Sequence, residues 1–94
     1  MPFVYIVRCA DGTLYTGYAS DPHARVEAHN RGRGAKYTAG RRPVTLVYAE
    51  SCKSVGAALS REYALKRRSR AEKEALIGRR RLPPMTGRRR GGSS

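Results

Sequence analysis

The chain has no tryptophan, two cysteines, one phenylalanine and only seven acidic residues among 94. Each scarcity excludes something. Cys9 and Cys52 are too few for a disulfide scaffold and read as reduced thiols. With His23 and His29 they match no zinc spacing, so no metal-thiolate site is expected. No apolar run approaches the ~18 residues of a membrane span. The start, Met1-Pro2-Phe3-Val4-Tyr5, lacks a basic segment ahead of an apolar stretch, so no secretory signal is expected and the protein reads as cytoplasmic. The length suits one domain.

What is abundant is positive charge. Twenty Lys and Arg against seven acids give a formal net charge of +13, which points to a polyanionic partner, by default nucleic acid. A solvated basic surface is the plainer alternative. The charge divides unevenly. Residues 1–78 form the expected folded unit, with every acid and a net +7. Residues 79–94 add +6 with no acid and little to bury. That composition reads as a disordered basic tail making salt-sensitive phosphate contacts.

Within the body, Phe3-Val4-Tyr5-Ile6-Val7 suits a strand buried on both faces. Asp11-Gly12 signals a turn, and Thr13 to Tyr18 reads as the returning strand. Asp21-Pro22 opens a helix to about Asn30. A basic loop from Arg31 to Pro43 leads to a third strand, Val44 to Tyr48. Ser54 caps a helix to about Arg68, and Ser69-Arg70-Ala71-Glu72 is a capping box for a last helix ending near Gly78. The order β-β-α-β-α-α predicts an α+β domain: a small three-stranded mixed or antiparallel sheet with about three packed helices.

Three features are not explained by core building. Val55, Ala58, Leu59 and Leu65 mark an apolar stripe on the second helix, and Glu62 falls inside it. A carboxylate there needs a partner, either an arginine or a hard divalent cation. Arg25 and His29 share a face of the first helix, four residues apart. The third is six tyrosines, two of them, Tyr5 and Tyr15, on strands joined by a turn. A strict two-residue turn pairs positions summing to 23 and puts these two phenols on opposite faces. A three-residue loop shifts the sum by one and puts them on the same face.

Val4-Tyr5-Ile6, followed ten residues later by Tyr15-Thr16-Gly17, resembles the paired motif that names the GIY-YIG nuclease superfamily, with Val4 where the first motif has Gly. Arg25, His29 and Glu62 follow in the family's order and spacing. The resemblance runs from about residue 2 to 77 and is nearest the short single-domain bacterial branch. It implies hydrolysis of DNA phosphodiesters with one divalent cation, Mg²⁺ or Mn²⁺, and no small-molecule cofactor. It makes Glu62 the metal ligand, Arg25 the phosphate clamp, Tyr5 and Tyr15 the groups that position or deprotonate water, with Tyr15 ahead as the base, and His29 a second base or a phosphate donor. Arg25, Arg8 and the metal are the charges that could lower a phenol's pKa. The family's late Asn has no counterpart, since no Asn follows Asn30; Lys66 or Arg70 stands on the downstream helices instead. Arg8, Arg33, Lys36, Tyr37, Arg41, Arg42 and Lys66 are the expected nucleic-acid contacts, with Tyr37 able to stack on a base. The expected partner is DNA, branched and flapped forms among the candidates, in repair or processing. The alternatives are a non-catalytic nucleic-acid-binding protein that retains the fold and a small RNA-associated protein.

Overall fold

A computed structural model of the chain describes residues 1–79; the basic tail lies outside them, apart from Arg79. The elements run β1 (Phe3–Arg8), β2 (Leu14–Ala19), α1 (Pro22–Asn30), α2 (Lys36–Ala39), β3 (Thr45–Ser51), α3 (Val55–Lys66) and α4 (Arg70–Arg79). This is the expected α+β order, with one added turn of helix, α2, inside the basic loop. The sheet is wholly antiparallel in the order β2-β1-β3.

β1 is central, and Val4, Tyr5, Ile6 and Val7 are all 2% exposed or less. One face joins Tyr5, Val7, Cys9, Ala19, Val44 and Leu46, with Val26 of α1 packed against them. The other joins Val4, Ile6, Tyr48 and Cys52 to Ala58 and Leu65 of α3, with Leu76 and Ile77 of α4 alongside. The two cysteines are therefore free, buried and in different clusters. β3 serves both faces through a bulge. Ile6 pairs with Tyr48 but Val7 with Leu46, leaving Val47 over. Leu46 and Tyr48 consequently enter opposite cores, although two residues apart on a strand would ordinarily share a face.

The caps are those the sequence signals. The Asp21 carboxylate accepts from Ala24 N at 3.1 Å, and Ser54 Oγ accepts from Ala57 N at 3.1 Å. The capping box is reciprocal: Glu72 N donates to Ser69 Oγ, and Ser69 N to the Glu72 carboxylate. The apolar stripe of α3 needs correction. Ala58 and Leu65 are fully buried, but Val55 is 54% exposed and Leu59 45%. The Ala58–Leu65 line reaches the sheet, and Glu62, four residues past Ala58 and three before Leu65, lies between it and the exposed line with its side chain 16% exposed.

Candidate nucleic-acid-processing site

The hairpin fixes where the tyrosines point. Gly12 N donates to Cys9 O at 2.9 Å, Cys9 N donates to Thr13 O at 2.8 Å, and Gly12 has φ +87°. This is a three-residue loop with glycine in the left-handed position, the geometry of a type I turn followed by a bulge. Tyr5 pairs with Gly17 and Tyr15 with Val7. The paired positions sum to 22, and both phenols stand on one face. Gly17 lies between them. A Cβ there would come 2.7 Å from Tyr5 Oη and 3.3 Å from the Tyr15 ring, so only glycine lets both rings close over the strand.

Arg25 and Glu62 complete the group. A cleft of about 450 Å³ is lined by Tyr5, Tyr15, Gly17, Arg25, Val55 and Glu62, among others. Tyr18, from the other face of β2, also lines it, so the cleft straddles the open edge of the sheet. The Arg25 guanidinium has no hydrogen bond or ion pair among the described residues, unlike Arg8, Arg41, Arg42 and Arg61. The Glu62 side chain is 16% exposed and meets Lys66 Nζ at 3.2 Å. Its ion-pair partner is thus a lysine one turn on, not an arginine.

His29 is at this site but not in the cleft. Its ring is 1% exposed and stands edge-on to both tyrosines, 6.1 Å from Tyr5 and 5.6 Å from Tyr15 between ring centroids. Nε2 lies 2.9 Å from Tyr5 Oη and Nδ1 2.8 Å from Thr38 Oγ1. Gly34 passes so close to Nδ1 that any side chain there would collide with the imidazole. The expectation that His29 touches a phosphate meets its burial: the ring is not among the cleft's lining groups, and its hydrogen-bonded neighbour on the cleft side is Tyr5. Burial, with the Arg25 charge adding to it, holds its pKa below the ordinary 6.5, so His29 is neutral at neutral pH. Burial above all, and then Tyr15, pushes the Tyr5 phenol up to about 12 against a smaller opposing effect of Arg25.

The remaining sequence candidates divide by position. Arg33 lines a shallow groove that shares Ala19, Ser20 and Arg25 with the cleft, so two arginines follow one path. Lys36 is exposed, and Lys66 is half exposed beside Glu62. Arg8 projects to the opposite face, where both guanidinium nitrogens meet Glu74 at 2.8 Å. Held there on the far side of the sheet from Tyr5, it does not stand where the expectation that it tunes that phenol would need it. Arg41 and Arg42 brace their own loop. Arg41 donates to Asp11 and to Tyr37 O, Arg42 to Ala39 O and Asn30 O. Tyr37 is stacked on Tyr15 at 5.7 Å with the Arg41 guanidinium 4.1 Å from its ring centroid, so a base would have to displace one of them. Thr38, and the approach of Ala35 and Gly34 to the imidazole, are not marked by the sequence. Their only signal is a glycine three residues past the basic turn and a threonine on a short helix.

Among the described residues, no three His, Cys, Asp or Glu side chains gather as a metal cage. A single carboxylate can still serve Mg²⁺ or Mn²⁺, which bind through one or two carboxylates, water and substrate phosphate. Glu62, a hard oxygen donor already paired with a cation, fits that demand. No described helix is long and apolar enough to cross a membrane.

Comparison with known proteins agrees with this geometry. The GIY-YIG catalytic domain model matches residues 1–75. A UPF0213 protein of Staphylococcus aureus is 61% identical over 75 residues, which are 80% of this chain and 92% of that one. The solution structure of a UPF0213 protein from Bacillus halodurans shares 43% identity and a TM-score of 0.56, covering 88% of this chain and 89% of the other. A solution structure from E. faecalis shares 38% identity and a TM-score of 0.56, with 82% of each chain covered.

Proposed function

The chain belongs to the GIY-YIG catalytic-domain family, and from that premise we propose that it is a divalent-metal-dependent endonuclease acting on DNA. The observation that carries this reading is the shared cleft. A guanidinium unengaged among the described residues, two phenols and one carboxylate, from α1, β1, β2 and α3, line the same 450 Å³ space.

In this reading Arg25 grips two oxygens of the scissile phosphate through its planar fork, a task that lysine performs poorly. The groove toward Arg33 carries the next phosphate of the strand. Glu62 would hold Mg²⁺ or Mn²⁺, which when bound supplies charge for the phosphoryl oxygens and for the leaving oxyanion. Tyr15 is the group that takes the proton of the attacking water. Tyr5 is less suited, because a phenol near 12 yields almost no phenolate at neutral pH. The folded unit of residues 1–78 contains all of these groups, while the tail adds sequence-independent affinity.

A second reading, a nucleic-acid-binding protein that does not cut, draws on the ion pair between Glu62 and Lys66, which gives the carboxylate a purely structural partner. Cleavage of branched, flapped and plain duplex DNA with Mg²⁺ or Mn²⁺ separates the two. Metal-dependent cutting that Glu62→Ala and Tyr15→Phe abolish, with binding retained, supports the nuclease. Equal activity in Glu62→Ala removes the metal assignment, and no cutting of any substrate leaves the binding protein.

A further inference from the structure

Behind the cleft, one proton is placed by a group that cannot turn. Three partners meet the His29 ring: Tyr5 Oη at Nε2, Thr38 Oγ1 at Nδ1, and the Ala35 backbone amide, which donates to Nδ1 at 3.3 Å. A hydroxyl rotates to donate or accept, so Tyr5 and Thr38 suit either neutral tautomer. The hydrogen of an amide is fixed in the peptide plane. A hydrogen on Nδ1 would face the Ala35 N–H head-on, whereas a bare Nδ1 accepts from Ala35 and from the Thr38 hydroxyl together. The Thr38 hydroxyl also stands 2.8 Å from Ala35 O, a second acceptor for its one hydrogen. That carbonyl already accepts the Thr38 amide at 3.0 Å, so turning the hydroxyl to Nδ1 leaves no group unpaired, whereas giving its hydrogen to the carbonyl would leave the Ala35 amide facing an Nδ1–H.

With Nδ1 bare, neutral His29 carries its hydrogen on Nε2 and donates it to Tyr5 Oη. The phenol's own hydrogen then cannot point back at the imidazole. No other hydrogen-bond acceptor for Tyr5 occurs among the described residues, and the open side of the phenol is the cleft shared with Arg25.

Resting on the reading of that cleft as a phosphodiester site, we propose that the Ala35 amide locks His29 as its Nε2–H tautomer and so makes Tyr5 a fixed hydrogen-bond donor to a phosphate oxygen. His29 is a positioning residue here: it acts on the ligand only by deciding which way the Tyr5 hydroxyl faces. Gly34 is part of the device, since a side chain there would push the imidazole off the amide. Tyr5 and Arg25 then act together on the phosphate, and the proton of the attacking water goes elsewhere.

Long-range ¹H–¹⁵N correlation of the free, ¹⁵N-labelled full chain near pH ~8, where histidine is neutral, reads the tautomer directly. An Nε2–H pattern for His29 is expected; an Nδ1–H pattern overturns the proposal, whether or not the protein cuts DNA. The second measurement is single-turnover cleavage by Tyr5→Phe across pH. Loss of one hydrogen bond to a charged oxygen should lower the rate about ten- to a hundredfold at every pH, with the shape of the profile kept. Disappearance of the rising limb would make Tyr5 the base and overturn the proposal. If no DNA is cut at all, the nuclease reading falls, and Tyr5→Phe binding to an oligonucleotide without divalent cation decides instead. Weaker binding by about tenfold supports the donor role, and unchanged binding overturns it.

Discussion

Tyr5 lies across Gly17, its phenolic oxygen 2.7 Å and the carbon bearing it 2.9 Å from where a Cβ on residue 17 would stand. The two are direct cross-strand partners, so neither can retreat without breaking the register of the central strand. Gly17→Ala should therefore displace the phenol rather than the backbone. The cost expected for forcing a methyl into this packing is about 1–3 kcal/mol, a fall in Tm of about 4 °C or more for a domain of this size. Thermal unfolding measures it. Cleavage should fall further than stability explains, because the group displaced lines the cleft.

Arg25→Lys tests whether a fork or merely a charge is needed. The net charge is unchanged, so DNA affinity at fixed salt should stay within a factor of about three. The cleavage rate should drop about a hundredfold, as for loss of one aimed donor at a developing charge. Electrophoretic binding and single-turnover rates compare the two. A lysine variant that cuts as fast as the parent would assign Arg25 to steering alone.

Lys66 and a metal ion would compete for the same carboxylate. In Lys66→Met, Glu62 loses the ammonium at 3.2 Å, and the Mn²⁺ concentration giving half-maximal cleavage should fall about two- to fivefold. Stability should shift by less than about 1 kcal/mol, since the lysine is half exposed. A rise in the Mn²⁺ requirement would mean that Lys66 itself contacts the substrate.

Acid should unfold the protein in two stages of the same sign. His29 is held below 6.5 by burial, so under that pH the unfolded chain takes up a proton that the fold refuses, and stability falls. Glu74 is lowered from 4.5 to about 2, chiefly by its hydrogen bonds to Arg8. Its contribution is whole above 4.5 and disappears as pH drops through about 2. Tm measured against pH should show both windows. Arg8→Met should remove most of the lower one and leave the upper one intact.

Much of this was legible in the sequence because it depends on neighbours along the chain. The caps at Asp21, Ser54 and Ser69 and the three strands follow from local chemistry. Parity reduced the placement of Tyr5 and Tyr15 to a choice between two turn lengths, which Gly12 with φ +87° resolves. What stayed hidden is tertiary. Nothing local shows that Val47 bulges and divides Leu46 from Tyr48. Periodicity marks the apolar residues of α3 but not which of them the sheet covers, so Val55 and Leu59 read as core. Arg8 meets Glu74 across 66 positions. The contact of Ala35 with His29 exists only because Gly34 lets the loop approach an imidazole it cannot foresee.

The burial of β1 has a consequence for motion. Both edges of this strand are hydrogen-bonded and both faces are covered, so its amides should open only when the whole domain does. Arg25 and Glu62 are carried by α1 and α3, where most residues outside the buried contacts are exposed and excursions are cheaper. The tyrosine therefore serves as the still reference point of the cleft, and the arginine and the glutamate are the parts free to adjust to whatever strand arrives.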